Sequence, residues 1–212
     1  MSLFTQYGRT LLLAVILLVV ESAHVSYSAE PTGLSGSGTL TDKRDGQKYK
    51  TVKIDGKTWM AQNLNYQTGK SWCCGNGNSK CSEYGRLYDW KTAKTACPSG
   101  WRLPSSQEWN NLVRVAGGEM AGRALKSLTG WEDDYSEDKY GFSALPGGRY
   151  EKSDVDDGCR DVTSVGVWWT GDEMGEYDVA YSRIMDSNYD NVQSGHGAVA
   201  LFTGYSVRCI QK

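Results

Sequence analysis

Six cysteines, at positions 73, 74, 81, 97, 159 and 209, constrain this chain more than any other feature, and what they can do depends on where the chain is sent. Leu11–Val20 is an apolar run preceded by Arg9, followed by small residues, with Ser26 and Ser28 ahead of a cleavage point near Ala29 or Glu30. That is the pattern of a secretory signal peptide, and the run falls well short of the ~20 apolar residues a bilayer-spanning helix needs. Residues 1–29 are therefore expected to be a signal peptide, with no cysteine placed to accept a lipid anchor. The mature chain is expected to be secreted or held at the cell surface, with no membrane span. In an oxidising compartment an even set of cysteines reads as a disulfide framework rather than as metal or redox chemistry.

The positions of the cysteines sharpen this reading. Cys73 and Cys74 are adjacent, no second C-x-x-C follows, and His24 and His196 are remote, so zinc ligation is disfavoured. One of the adjacent pair is expected to bridge to Cys81 and close the short loop between them. Sequence leaves open which one, and which partner Cys159 takes. Cys97 stands in A-C-P-S-G-W-R-L-P-S-S-Q-E-W, residues 96–109, where Pro98, Gly100 and Pro104 mark a turn between two helices. Asp89 is placed to cap a helix through Ala96, with Trp90, Ala93 and Cys97 on one face. Ser105 and Glu108 fit a capping box opening a second helix to Ala116, with Trp109, Leu112, Val113 and Ala116 at helical spacing and Gly117-Gly118 ending it. A third, short helix is expected around Met120–Leu128, given Met120, Ala124, Leu125 and Leu128.

Strand signals flank this helical stretch. Residues 30–38 read as a Gly/Ser-rich linker, and a domain follows over 39–212. Asp55-Gly56 lies between Thr51–Ile54 and Lys57–Met60, a strong hairpin signal, because a type I′ turn needs positive φ at both central residues. Residues 63–85 read as a polar loop clipped by cysteines, and the acidic run 131–139 as solvated. Later strands are expected at Phe142–Leu145, Val165–Thr170, Val179–Met185, Ala198–Phe202 and Tyr205–Ile210, the last with Tyr205, Val207 and Cys209 on one face. The result is an α+β domain: two to three short helices and a small, mostly antiparallel sheet joining the two ends of the domain. Cys97 is expected to pair with Cys209, closing a loop of about 100 residues worth roughly 4–5 kcal/mol in the chain-entropy account.

Six ordered motifs carry a resemblance. They are Asp45-Gly46 with Tyr49–Val52; Trp59-Met60-Ala61 with Asn63-Leu64; Tyr84–Tyr88; Cys97–Trp101 with Leu103-Pro104; Gly141–Pro146; and Ser206–Cys209. Together they resemble the Fibrobacter succinogenes major paralogous domain from about Gly38 to the end. That family is similar to C-type lectin-like folds and to formylglycine-generating enzymes, whose R-L-P-T-x-x-E-W segment is matched here by Arg102-Leu103-Pro104-Ser105 and Glu108-Trp109. The resemblance implies a C-type lectin-like fold on an exported or surface domain, and brings no assigned activity with it.

Function is narrowed mainly by exclusion. With 23 basic and 25 acidic residues the net charge is -2, which removes the electrostatic argument for a nucleic-acid partner. None of the four prolines precedes Asn or Asp, so the calcium-dependent sugar site of classical lectins is missing. Asp186, Asn188 and Asp190 alternate as calcium ligands can, as do Asp154, Asp156 and Asp157. Asn191 and Gly197 break the EF-hand pattern, however, and a structural turn is the better reading. No metal or other cofactor is expected. Gly-x-Ser-x-Gly is missing, His196 has no evident Ser or Cys partner, and six thiols consumed by bridges leave no nucleophile, so no enzymatic activity is expected. The expected role is binding or display of a glycan, polymer or protein ligand through late loops and strands. The candidate surface comprises Trp169, Asp172, Glu173, Tyr177, Tyr181, Asp186, Asn188, Tyr189, Asp190, Asn191 and His196. Trp168 and Trp169 are expected to straddle a strand, Trp168 in the core and Trp169 outside. The alternatives are a structural envelope or matrix protein and an oxidoreductase-like enzyme. The sequence carries no signal for oligomeric state.

Overall fold

β1 (Ser35–Thr41), β2 (Lys48–Ile54) and β3 (Lys57–Met60) form an antiparallel meander, and the turn between the last two is the expected one. Asp55 and Gly56 both take left-handed φ, 48° and 73°, and Ile54 pairs directly with Lys57. The computed structural model describes residues 35–74, 78–132, 135–175, 179–198 and 203–212, which belong to one compact unit, Pro31–Lys212. The signal peptide expected over 1–29 lies outside the described residues. β1 begins at Ser35, so part of the stretch expected to be a linker is strand paired with β2.

The polar stretch 63–85, read from sequence as a loop, contains β4 (Ser71–Trp72) and helix α1 (Asn78–Tyr84). β5 (Leu87–Tyr88) leads into α2 (Trp90–Ala96), capped as expected by Asp89, whose side chain accepts from Thr92 N. After β6 (Trp101–Arg102) comes α3 (Ser106–Val115) with both arms of the capping box formed: Ser105 Oγ accepts from Glu108 N, and Glu108 Oε2 from Ser105 N. Gly117 and Gly118 take positive φ and end it. A 3-10 turn (Gly118–Met120) runs into α4 (Ala121–Leu125).

This third helix stops at Leu125, short of the expected Leu128. Lys126 turns extended and sends its ammonium to the carbonyls of Asp186 and Tyr189, at 2.5 and 2.8 Å, while Ser127 N donates to Ala144 O. Leu128 and Met120, two of the apolar residues that suggested this helix, are 69% and 47% exposed.

The remaining strands are β7 (Arg149–Glu151), β8 (Cys159–Arg160), β9 (Val165–Glu173), β10 (Val179–Asp186), β11 (Gln193–Ala198), β12 (Thr203–Ser206) and β13 (Ile210–Gln211). They make two sheets rather than one. The first runs β1-β2-β3-β13-β6, which sets the last strand between early ones. The second runs β11-β10-β9-β12-β5-β4, with β7 on β12 and β8 on β7. Among the described residues, pairings between strands are antiparallel except at Ser206–Trp168, where β12 joins β9 in parallel.

Two expected strands are corrected. Phe142–Leu145 makes only an isolated bridge, Ala144 with Lys126, because the carbonyls of Phe142 and Ser143 accept from the guanidinium of Arg208 instead of entering a ladder. Tyr205–Ile210 is broken after Ser206, since the carbonyls of Val207 and Cys209 accept from Leu64 N and Met60 N across the chain. Of the strand expected at Ala198–Phe202, Ala198 ends β11 and residues 199–202 lie outside the described residues.

The fold is α+β, tied by three disulfides: Cys73–Cys81, Cys74–Cys159 and Cys97–Cys209. The pairings expected for Cys97 and Cys81 are both present, and the two that sequence left open are resolved. Two apolar cores lie on opposite faces of β9. Trp59, Trp109, Phe142 and Trp168 fill the first, with Trp59 edge-on to Trp109 at 5.3 Å and to Phe142 at 5.8 Å. Leu64, Tyr88, Trp90, Trp169 and Tyr205 fill the second. The successive tryptophans of β9 thus point into different cores, and both are fully buried.

Candidate functional site

Strands β9, β10 and β11 form the hairpin assembly that carries most of the late candidate surface. Tyr181 pairs directly with His196 across β10 and β11, so their side chains leave the same face of the sheet. Between the Trp169–Ser182 and Glu173–Ala180 pairs, β9 holds three residues against one in β10, and this bulge turns Asp172 toward α3. There Asp172 Oδ2 accepts from Ser106 N at 2.5 Å, satisfying a first-turn amide of the helix. Arg183, buried on the neighbouring strand, donates to Ser106 O at 3.1 Å and Asn110 Oδ1 at 2.8 Å. Burial pulls its pKa below that of a free guanidinium, and the negative charge of Asp172 works in the opposite direction. Glu173 and His196 are exposed, Tyr181 half-buried.

Trp169 does not belong to this surface. Its ring is fully buried, its indole donates to Tyr88 O at 2.7 Å, and it packs on Tyr205 at 4.2 Å. Sequence placed it outside because alternation normally exposes one of two neighbours; here β9 is covered on both faces. Tyr177 lies outside the described residues.

Asp186, Asn188, Tyr189, Asp190 and Asn191 lie at the other end of β10, five residues or roughly 17 Å of strand from Tyr181. They form a docked turn. Asp186 Oδ1 accepts from the backbone and side-chain nitrogens of Asn188, at 2.8 and 3.0 Å, and Asp190 O accepts from Arg123 N. Gly122 of α4 lies so close that a Cβ there would stand 2.4 Å from Asn191 O, so the helix admits the turn only because that position has no side chain. Asn188 and Tyr189 are the exposed members, Tyr189 at 56%. The structural-turn reading fits these bonds, as it does Asp156 and Asp157, which accept from Gly158 N and Cys159 N. Among the described residues no group of three or more His, Cys, Asp or Glu could hold a metal ion, and no helix is long and apolar enough to cross a membrane.

A concave surface lies among residues that the sequence reading did not nominate. A cleft of about 290 Å³ is lined by Asp45, Gln47, Asn65, Tyr66, Gln67, Cys81 and Arg86. A smaller one adjoins it, sharing Gln47, Asn65 and Cys81 and reaching Gln62 and Glu83. The walls are built from the β1–β2 loop, the segment after β3 and the end of α1. In the first wall, Asp42 holds Arg44 through a pair at 2.6 Å, and Arg44 also donates to Ala96 O and lies 3.7 Å over the Tyr66 ring. Asp45 accepts from the backbone and side-chain nitrogens of Gln47.

Arg86 is different. It is only 8% exposed, and among the described residues its guanidinium donates to two disulfide sulfurs, Cys73 Sγ at 3.2 Å and Cys81 Sγ at 3.8 Å, both weak acceptors. Its sequence signal was the Tyr84–Tyr88 motif, which marked a resemblance without marking a site.

In comparison with known families, residues 52–211 match the Fibrobacter succinogenes major domain. No curated protein and no solved structure matches the chain.

Proposed function

This chain belongs to the Fibrobacter succinogenes major domain family, and from that membership we propose that it is an exported, non-enzymatic binding module recognising a glycan, polymer or protein ligand outside the cell or at its surface. In this reading the α+β fold has a C-type lectin-like arrangement, in which a rigid base carries late strands and loops as the recognition surface. The observation that carries the proposal is the Tyr181–His196 pair on β10 and β11, with His196 exposed and Tyr181 half-buried. An aromatic face and an imidazole stand there on paired strands whose other face is packed into a core, so little conformational entropy is lost on contact.

Support for a rigid base comes from the Cys97–Cys209 bridge and from β13 lying between β3 and β6. The formylglycine-generating comparison weakens at the level of chemistry: with all six cysteines in disulfides, thiol-based turnover has no free thiol to start from.

The test is an array of glycans, cell-wall polymers and surface proteins probed with the exported chain and with the Tyr181→Ala/His196→Ala variant. The expected result is one ligand class retained by the native protein and lost by a variant of unchanged melting temperature. Retention of binding by the variant would sink the assignment to this surface, and no binding at millimolar ligand would favour a structural envelope role.

A further inference from the structure

We infer that the cleft beneath the β1–β2 loop is a binding site for a hydroxyl-rich monocarboxylate, a uronic acid being the chemical type, with the Arg86 guanidinium as its anchor. This site shares no residue with the β9–β11 surface and goes beyond the reading above.

A guanidinium carries five donors in a fixed fork, and a buried one is normally satisfied by carboxylates or carbonyls. Arg86 is more than nine-tenths buried yet rests against sulfur, and it lines an open cleft. The cleft volume, about 290 Å³, lies near the lower limit of small-molecule sites.

Charge then selects the anion. Arg86 and Asp45 are the charged residues lining the cleft, and the nearby Arg44 is already held by Asp42 and Ala96 O. A dianionic phosphate or sulfate would face one cation and one opposing carboxylate, whereas a single carboxylate matches one guanidinium in the bidentate geometry that arginine favours. The rest of the lining suits hydroxyl groups: Asp45 accepts, while Asn65 and Gln67 both donate and accept. Tyr66 contributes an aromatic wall of the kind on which sugar rings rest. A ring bearing one carboxylate and several hydroxyls uses each of these groups; a neutral sugar leaves Arg86 unmatched.

The experiment titrates the full exported protein with sodium galacturonate, galactose and sodium sulfate, following heat and the arginine Nε–H signals by NMR, in the native protein, Arg86→Lys and Arg86→Gln. The expected result is galacturonate binding at least tenfold tighter than galactose, a shift of the Arg86 signal, a tenfold or greater loss in Arg86→Gln, and an intermediate value in Arg86→Lys. Should Arg86→Gln fail to fold, the shift of the native Arg86 signal still decides the matter. Equal binding of galactose, sulfate binding as tightly as galacturonate, a folded Arg86→Gln with unchanged affinity, or no shift at all overturns the proposal.

Discussion

Arg208 Nε donates to Asn63 Oδ1 at 2.9 Å, joining residues 145 positions apart at the point where the two sheets and the first aromatic core meet. The same oxygen accepts from Trp168 Nε1 at 2.9 Å, and the remaining guanidinium nitrogens reach the carbonyls of Met60, Phe142 and Ser143. Burial pulls the pKa of Arg208 down to about 9, the charge of Asp138 opposing the shift, and the group stays charged at neutral pH. Replacing Arg208 by Met strands several buried acceptors at once. The expected cost is at least ~3 kcal/mol in denaturant unfolding, with Arg208→Lys recovering only part because its donors sit on one nitrogen. A loss below ~1 kcal/mol for Arg208→Met would show that the network contributes little.

Two tryptophans in the first core offer an internal control. Trp109 and Trp168 are both fully buried, but Trp168 donates to Asn63 while Trp109 Nε1 has no hydrogen-bond partner among the described residues. Trp109→Phe removes an unsatisfied donor along with some packing; Trp168→Phe removes a bond as well as packing. Trp168→Phe is expected to be the more destabilising by about 1 kcal/mol. Chemical denaturation of the two variants measures the difference, and the reverse order would contradict it.

The capping box of α3 makes a pH prediction. Glu108 is lowered from 4.5 to about 2, chiefly by its bonds from Arg102, with burial opposing and Ser105 N assisting. Because the folded value lies below the unfolded one, this stabilisation is fully present above pH 4.5 and is lost as pH falls toward 2. Arg102 is 39% exposed, which screens the pair, so about 1–2 kcal/mol is at stake. Melting temperatures from neutral pH down into this range should fall less steeply for Glu108→Gln than for the native protein.

The disulfides are expected to rank by the loops they close. Cys97–Cys209 spans 112 residues and Cys73–Cys81 only 8, which correspond to about 4–5 and about 2–3 kcal/mol respectively. Paired Cys→Ala variants at each bridge, compared by unfolding midpoint, should reproduce that order.

Lys126 gives a local test. Replacing it with Met removes the bonds to the carbonyls of Asp186 and Tyr189. Amide hydrogen exchange should then accelerate in residues 186–191 while the protection of β2 and β3 is unchanged. Uniform loss of protection would mean that Lys126 supports the whole fold.

Local rules carried much of this architecture. The Asp55-Gly56 turn, the Asp89 cap, the Ser105–Glu108 box and the Cys97–Cys209 bridge all depend on chemistry within a few residues or on the thiols themselves, and each was legible in the sequence. What was not legible depends on distant partners. Phe142–Leu145 has the composition of a strand, yet its carbonyls are claimed by Arg208, more than sixty residues later. Trp169 looked exposed because alternation cannot reveal that a strand is covered on both faces. The candidate surface divided for a similar reason: nearness in sequence put Asp186–Asn191 beside Tyr181, and an extended strand carried them apart. Arg86 escaped notice because only burial beside sulfur makes an ordinary-looking arginine unusual.

The placement of β13 also dictates an order of events. Ile210 pairs with Trp59 on one side and Arg102 on the other, so an interior seat of the first sheet stays vacant until β13 itself has left the ribosome. Arg208 and Cys209, which complete the buried polar network and the longest disulfide loop, arrive at the same late moment. Nascent chains that have not yet reached β13 hold an open gap between β3 and β6, so closure waits on this strand, and truncation ahead of Arg208 removes the piece that completes it.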